Sequence, residues 1–172
     1  KQIREKYLAL IQKMFTLAGE KEAQASADAA AVMAIETDLA KTQMDNVRRR
    51  DPKNLNNKMT LAQLKALTPS FNWTAYLAAA HSPTTHHYLV SSPEYFKGLE
   101  AALKAHPLDH WKAYLRWHLL RNSAAYLSKD FVEASFDFYG RTLQGTKEML
   151  PRWRRCTRAA NRDLGEALGQ AY

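Results

Sequence analysis

Residues 22–44 read EAQASADAAAVMAIETDLAKTQM, a segment in which seven of the first thirteen residues are alanine. Alanine has the highest helix propensity of all residues, and its small side chain lets a neighbouring helix approach closely. Val32, Ile35 and Leu39 add larger apolar side chains at steps of three and four residues, the period of one helix face. The segment therefore predicts a long helix that packs closely against a neighbour.

The composition extends this prediction to the rest of the chain. The 172 residues include 27 alanines and 21 leucines, against 4 valines and 3 isoleucines. β-Branched residues favour strands, whereas alanine and leucine lose little freedom in a helix. The length suits one domain. We therefore predict an all-α fold, in which residues 1–172 form a single domain of about seven or eight helices.

Local motifs mark the helix boundaries in the first half of the chain. Gly19 fits the left-handed position that follows a first amphipathic helix. Thr60 and Gln63 have the spacing of a capping box, in which each side chain bonds the backbone amide of the other residue. Asn72 and Ser92 are predicted to cap the helices that follow them, because their side chains accept hydrogen bonds from free amides.

The remaining segments are assigned from their pattern of apolar residues. Arg48–Lys53 is predicted to be a solvated connection, and Tyr88–Val90 the single extended segment. Apolar residues with helical spacing predict helices over about Leu108–Leu127 and Phe131–Leu143. A last helix, which opens with a proline and carries five arginines, is predicted from about Leu150 to Tyr172.

The chain is basic, with 25 Lys and Arg against 17 Asp and Glu and a formal net charge of +8. Such a charge suits a nucleic-acid partner, an anionic membrane surface or an acidic substrate. Arg152–Arg162, with Trp153 among the arginines, offer phosphate contacts and one stacking surface, so a basic helical nucleic-acid-binding module is one hypothesis. A solvated helix face, or arginines that pair with a neighbouring domain, explain the same pattern. No apolar run approaches the ~20 residues of a membrane span.

The histidines are the candidate metal ligands of this sequence. His106 and His110 are four residues apart, the spacing of the two histidines in the H-E-x-x-H motif of zinc proteases. The general base of that motif is missing, because Pro107 follows His106. Pro107 also implies that His106 lies outside the helix of His110. His86 and His87 have no carboxylate or cysteine at ligand spacing, so we predict no metal ligand in this chain.

Nucleophiles and cofactor motifs give no stronger signal. Cys156 is the single cysteine, so no disulfide forms within the chain. Neighbouring arginines favour its thiolate, but no partner histidine is recognisable, and a buried thiol or half of a disulfide is the simpler interpretation. Asn72-Trp73-Thr74 matches the glycosylation triplet, although a helix cap explains Asn72 more simply. The glycines form no phosphate loop. We predict no catalytic and no cofactor-binding residue.

A resemblance to a known family rests on segments spread along the chain. They are IETDLA (35–40), NKMTLAQL (57–64), PEY (93–95), FYGRTLQG (138–145), WRRC (153–156) and GEALGQAY (165–172). In order and spacing they resemble the neprilysin family of zinc metalloendopeptidases. The resemblance covers nearly all of the chain, and its WRRC segment is quite specific.

This resemblance implies a two-lobed parent protein. One thermolysin-like lobe holds zinc through H-E-x-x-H and a downstream E-x-x-x-D, and a second helical lobe encloses the cavity where peptides are cleaved. The present chain resembles the region before the zinc motifs and contains no H-E-x-x-H. Lys1 is not a natural start residue, so we expect a fragment. It should be the non-catalytic capping lobe, inactive alone, with zinc in the parent enzyme and none here.

The resemblance also implies partners and a location. The expected partners are the catalytic lobe of the same polypeptide and peptide substrates, whereas nucleic acid is not expected. The parent should be periplasmic, secreted or membrane-anchored, and the abundance of alanine and arginine favours a bacterial source. Cys156 matches a cysteine that is disulfide-linked in secreted animal members. The terminal helix should connect the lobes, with Arg154, Arg158 and Arg162 on a face that docks against the missing lobe.

Overall fold

The computed structural model describes residues 1–171 as an array of helices with one small sheet. The α-helices are α1 (Gln2–Leu17), α2 (Glu22–Lys41), α3 (Pro52–Leu55), α4 (Leu61–Leu67), α5 (Trp73–Ala79), α6 (Pro93–Ala105), α7 (Leu108–Ser123), α8 (Lys129–Ser135), α9 (Arg152–Asp163) and α10 (Gly165–Ala171). The strands are β1 (Asn57–Met59) and β2 (Tyr88–Val90), two 3₁₀ turns cover Arg48–Arg50 and Ala124–Tyr126, and a π-helix covers Phe136–Leu143. Tyr172, where the last predicted helix ends, lies outside the described residues.

The prediction of an all-α fold is confirmed, and the helices are more numerous than the seven or eight expected. The predicted helix over 150–172 is divided into α9 and α10, because the backbone of Leu164 leaves the helical region at φ −128° and ψ 23°. The connection over 48–53 contains a 3₁₀ turn and the start of α3. The aromatic helix predicted to reach Leu127 ends at Ser123, and a 3₁₀ turn follows it.

The main core lies between α1, α2 and α7. Ala25 and Ala29 of α2 are 0% exposed, and they are buried together with Ile11 and Phe15 of α1 and Trp117 of α7. Alanines on one helix let the neighbouring axes come close, and the larger side chains of the neighbours fill the space between them. The prediction that the alanine-rich helix packs closely against a neighbour is therefore confirmed.

A second, smaller cluster lies beneath the sheet. The two strands pair in antiparallel orientation over all three residues, so the prediction of a single extended segment at 88–90 is wrong. Leu64, Trp73 and Val90 are buried in this cluster. The Trp73 indole donates a hydrogen bond to the buried hydroxyl of Thr68 over 2.9 Å, which satisfies both polar groups.

The predicted helix boundaries are present. Gly19 has a φ of +98°, as the left-handed position requires. Thr60 and Gln63 form the reciprocal capping box. Asn72 and Ser92 each accept a hydrogen bond from the amide three residues further on, over 3.0 and 3.4 Å. These caps define where α4, α5 and α6 begin.

The helix predicted over 131–143 begins as α8 and continues as the π-helix. In the π-helix a Cβ atom on Gly140 would lie 2.5 Å from the ring of Phe136, so the backbone passes closely over that ring. No helix among residues 1–171 is long and apolar enough to cross a membrane.

Candidate functional site

The two histidines that were considered as metal ligands lie at the junction of α6 and α7. His106 follows α6 and His110 lies in the first turn of α7, which is the separation that Pro107 predicts. Nε2 of His106 is 3.0 Å from Oδ2 of Asp38, and Oδ1 of Asp38 accepts a hydrogen bond from Lys41 over 2.9 Å. The bonds from Lys41 and then from His106 hold the pKa of the Asp38 carboxyl below its usual value.

The junction of α6 and α7 brings together too few ligands to form a zinc site. The ring centres of His106 and His110 are 6.1 Å apart. A zinc ion takes three or four protein ligands. Throughout residues 1–171, no group of three or more His, Cys, Asp or Glu side chains converges in this way. His86 and His87 are exposed in the loop before β2. The expectation that this segment binds no metal stays a prediction.

Cys156 is a free, exposed thiol on α9. The interpretation of a buried thiol is therefore wrong, because none of the described side chains of α9 is buried. A nucleophilic cysteine needs an adjacent base or another group that activates the thiolate.

A polar network joins α1, α2 and α7. The hydroxyl of Tyr7 donates to Oε1 of Glu36 over 2.9 Å, and the indole of Trp117 donates to the Tyr7 hydroxyl over 3.1 Å. Nε2 of His118 lies 3.6 Å from the same oxygen of Glu36. Sequence reasoning missed this network, because Tyr7 and Trp117 fit the apolar stripes of their own helices. The one sequence feature that pointed to this network is that Glu36 belongs to IETDLA (35–40), a segment that carries the family resemblance.

The π-helix adds an aromatic wall to the network. Its Tyr139 packs edge-on against Phe138 with ring centres 5.1 Å apart, and Phe138 in turn contacts the ring of Tyr7. The guanidinium of Arg121 lies 5.4 Å from the centre of the Tyr139 ring, within cation–π distance. The site therefore combines the Glu36 carboxylate, the His118 imidazole and the Arg121 guanidinium beside a cluster of aromatic rings.

Burial determines the protonation of these groups. Burial, and then the Glu36 carboxylate, raise the pKa of Tyr7 far above its ordinary range, so Tyr7 remains a hydrogen-bond donor. Burial lowers the pKa of His118; Glu36 opposes this effect and Arg121 reinforces it. The network contains no serine or cysteine, so it can orient neighbouring groups but supplies no nucleophile of those types.

Acidification should destabilise the chain through His118. Because the folded-state pKa of His118 is lowered, the unfolded chain binds more protons near the ordinary histidine pKa of about 6.5. The stability that the neutral His118 contributes at higher pH is therefore lost as the pH falls below the unfolded-state pKa of about 6.5. Melting temperatures measured between pH 7.5 and 5 should decline less in His118→Gln than in the unchanged chain. His86→Gln, in an exposed loop, is the control; an equal decline in all three proteins would contradict the prediction.

The arginine-rich helix α9 lies at the edge of the fold. Trp153 is 65% exposed. Arg162 donates to Asp163 on its own helix and contacts the hydroxyl of Tyr126. Arg162 is thus already paired within the chain, whereas the sequence predicts that it docks against the missing lobe together with Arg154 and Arg158. Within residues 1–171, Arg154 and Arg158 have no carboxylate partner.

Comparison with known proteins gives consistent matches over the chain. A family model described as "Peptidase family M13" matches residues 1–172. Endothelin-converting enzyme 1 of Rattus norvegicus is 29% identical over 146 residues, which is 82% of this chain and 19% of that protein. Endothelin-converting enzyme homolog of Locusta migratoria is 28% identical over an alignment of 177 positions, which covers 96% of this chain and 24% of that protein.

Solved structures agree with the sequence matches. The zinc metalloprotease Zmp1 of Mycobacterium tuberculosis in an open state superposes with a TM-score of 0.91 at 30% identity, over 99% of this chain and 27% of that chain. The crystal structure of Zmp1 with an inhibitor gives a TM-score of 0.92 at the same identity, over 99% and 26%. The chain thus spans 19–27% of the lengths of these relatives.

Proposed function

Because the chain belongs to peptidase family M13, as an N-terminal region of the neprilysin-like type, we propose that it is the non-catalytic helical lobe of a zinc metalloendopeptidase. The observation that supports this function most directly is its superposition on zinc metalloprotease Zmp1 over 99% of the chain. The chain itself contains no H-E-x-x-H sequence. Residues 1–172 then form a capping lobe without catalytic, cofactor-binding or metal-binding residues.

The physical role of this lobe is to restrict access to the zinc. A helical lobe that closes over the catalytic lobe creates a chamber, and only a flexible peptide reaches the scissile position inside it. The partners are the catalytic lobe of the same polypeptide and the peptide substrates. The parent acts outside the cytoplasm, and a bacterial source stays a prediction.

Substrate size tests this role in the complete protein. One cleavable sequence is presented in a short peptide, in a longer unfolded peptide and within an ordered element of a folded protein. We expect kcat/KM to fall as the substrate becomes larger and to vanish for the folded protein. Cleavage of the folded protein at the rate of the unfolded peptide would exclude a size-restricting lobe, even if the peptidase activity itself were present.

Zinc affinity should differ between the isolated lobe and the complete protein. The isolated chain should bind zinc no better than a protein with ordinary surface histidines, because His106 and His110 lack a third ligand. The complete protein should bind zinc stoichiometrically. Titration calorimetry of both proteins checks this prediction. Tight stoichiometric zinc binding by residues 1–172 alone would show that this segment is itself a metalloprotein.

The exposed arginines of α9 are proposed to orient the lobe. Arg154 and Arg158 lie one turn apart on one side of the helix. An arginine can form two parallel hydrogen bonds with a carboxylate, and such pairs fix direction as well as distance. On a solvated face the same pairs would contribute only about 0–1 kcal/mol each. We therefore expect carboxylates of the catalytic lobe opposite Arg154 and Arg158.

Changing Arg154 and Arg158 to alanine should lower peptidase activity of the complete protein several-fold and leave the melting temperature of the isolated chain unchanged. The reason is that neither arginine has a carboxylate partner within residues 1–171. Lys58→Ala with Lys65→Ala removes the same charge from exposed positions away from α9. Equal loss of activity in this control, or a lower melting temperature of the isolated Arg154/Arg158 variant, would refute docking.

Nucleic-acid binding is the second candidate function. The guanidinium of Arg154 lies 5.2 Å from the ring centre of the exposed Trp153, so α9 presents positive charge beside an aromatic surface. Titration with single-stranded and duplex DNA at two salt concentrations tests it. Tight binding with a steep salt dependence would favour this function, and weak binding at physiological salt would remove it.

A further inference from the structure

A basic cleft lies on the side of the fold formed by the end of α2, the segment that follows it and the start of α6. Its volume is about 540 Å³. Of the charged residues that the structure describes, Lys41, Arg48, Lys53 and Glu94 line it. It shares no lining residue with the Glu36 network or with α9. Arg48 and Lys53, at the two ends of the segment that the sequence predicts to be a solvated connection, thus line a concave surface.

Two of the three cations in this cleft are free to bind a ligand. Lys41 is paired with Asp38 over 2.9 Å, and Glu94 is paired with Lys97 over 2.8 Å. In the part of the chain that the structure describes, Arg48 and Lys53 make no ion pair. The cleft is therefore lined by two cationic side chains that are not paired with a carboxylate among the described residues.

The backbone beneath Arg48 and Lys53 is held by its own hydrogen bonds. Asp45 accepts a bond from the amide of Arg48 over 2.8 Å, and Asp51 accepts one from the amide of Lys53 over 3.0 Å. The side-chain amide of Asn54 donates to the carbonyl of Arg48 over 2.8 Å. Because these bonds fix the segment before any ligand arrives, binding would cost little backbone entropy.

The cleft is also lined by the N-terminus of α6, a helix of 13 residues. The positive end of a helix dipole favours anions, so it adds to the charge of the cations in the cleft. Ser92 caps this helix through the amide of Tyr95. The positive end of the α6 dipole therefore adds to the attraction of Arg48 and Lys53 for an anion, and the Glu94 carboxylate at the same end is itself paired with Lys97.

We propose that this cleft binds an acidic polypeptide segment, with its carboxylates paired to Arg48 and Lys53. Clefts of this volume accommodate ligands larger than a single inorganic ion. Among residues 1–171, the lining contains no aromatic residue on which a nucleobase would stack, and stacking is the usual companion of phosphate contacts in single-strand binding. The proposal is independent of peptidase function, so either can fail without the other.

The test is a titration of the complete protein, with a chelator present so that the probe is not hydrolysed. The probes are a short labelled peptide of glutamate and glycine and its counterpart with glutamine in place of glutamate. We expect the glutamate peptide to bind and the glutamine peptide not to bind. Arg48→Gln with Lys53→Gln should weaken binding at least about tenfold, since a hydrogen bond to a charged group is commonly worth that factor.

A variant with the same net charge provides the matched control. Arg50→Gln with Lys65→Gln removes two exposed cations outside the cleft and should change affinity less than about twofold. Equal weakening in both double variants, with melting temperatures unchanged, would reduce the effect to net charge and overturn the proposal. Equal binding of the two peptides would also overturn it. Tighter binding of a single-stranded oligonucleotide, lost in the Arg48/Lys53 variant, would assign the cleft to nucleic acid instead.

Discussion

Replacing Trp117 with alanine should lower the free energy of unfolding by about 3–5 kcal/mol, the usual cost of truncating a buried tryptophan. The Trp117 side chain is 0% exposed and packs edge-on against Tyr7, with ring centres 5.7 Å apart. Its removal leaves a cavity between α1, α2 and α7. It also removes the hydrogen bond that orients the Tyr7 hydroxyl towards Glu36. Since small domains are stable by only about 5–15 kcal/mol, urea denaturation should show a large shift of the midpoint.

The same substitution at an exposed tryptophan is the control for this prediction. Trp153 is 65% exposed on α9, so Trp153→Ala should change stability by less than about 0.5 kcal/mol. Trp117→Phe keeps most of the bulk but lacks the indole N–H, so its loss of stability should be smaller than that of the alanine variant. Similar losses at Trp117 and Trp153 would show that the core does not lie where α1, α2 and α7 meet.

Features that depend on neighbouring residues could be predicted from the sequence. The capping box of Thr60 and Gln63 closes within three residues, so its donors and acceptors are visible in the sequence itself. The left-handed conformation of Gly19 could be predicted because glycine is the usual residue at the left-handed position after a helix. The alanine-rich α2 could be predicted because helix propensity is a property of each single residue.

Features that depend on distant residues could not be predicted. β1 exists because its three residues pair with β2, about thirty positions further along, and so short a run has no strand pattern of its own. In the Glu36 network, Tyr7 and Trp117 are 110 positions apart. A tyrosine on an apolar stripe is compatible with ordinary core packing, and only the tertiary structure shows which carboxylate accepts its hydrogen bond.

Contacts within the structure distinguish arginines that the residue pattern treats alike. Arginines at 154, 158 and 162 have the same spacing and chemistry, yet Arg162 binds Asp163 and Tyr126 whereas the other two have no carboxylate partner among the described residues. Helical spacing placed the three on one face but could not show which of them the chain itself uses. The functional hypothesis for α9 therefore rests on two arginines rather than three.

Replacing Gly98 with alanine should destabilise the chain by about 1–2 kcal/mol, although alanine is the better helix former. α6 passes so close to the end of α2 that a Cβ atom on Gly98 would lie 2.6 Å from Cβ of Thr42. Rotation of the Thr42 side chain does not move its own Cβ, so the two backbones must separate. Separation opens the small core cluster that α6 shares with Ile35 and Leu39 of α2. Urea denaturation of the variant measures the loss.

Gly169→Ala is the matched control, because among residues 1–171 a Cβ atom at Gly169 of α10 meets no atom within 4 Å beyond its own helix backbone. This variant should be neutral or slightly more stable, since alanine has the higher helix propensity. Thr42→Gly removes the atoms that a Cβ on Gly98 would meet, so the double variant should be more stable than the sum of the two single effects implies. If Gly98→Ala proved as well tolerated as Gly169→Ala, or if Thr42→Gly gave no rescue, then the contact between Gly98 and Thr42 would not be what holds α6 against α2.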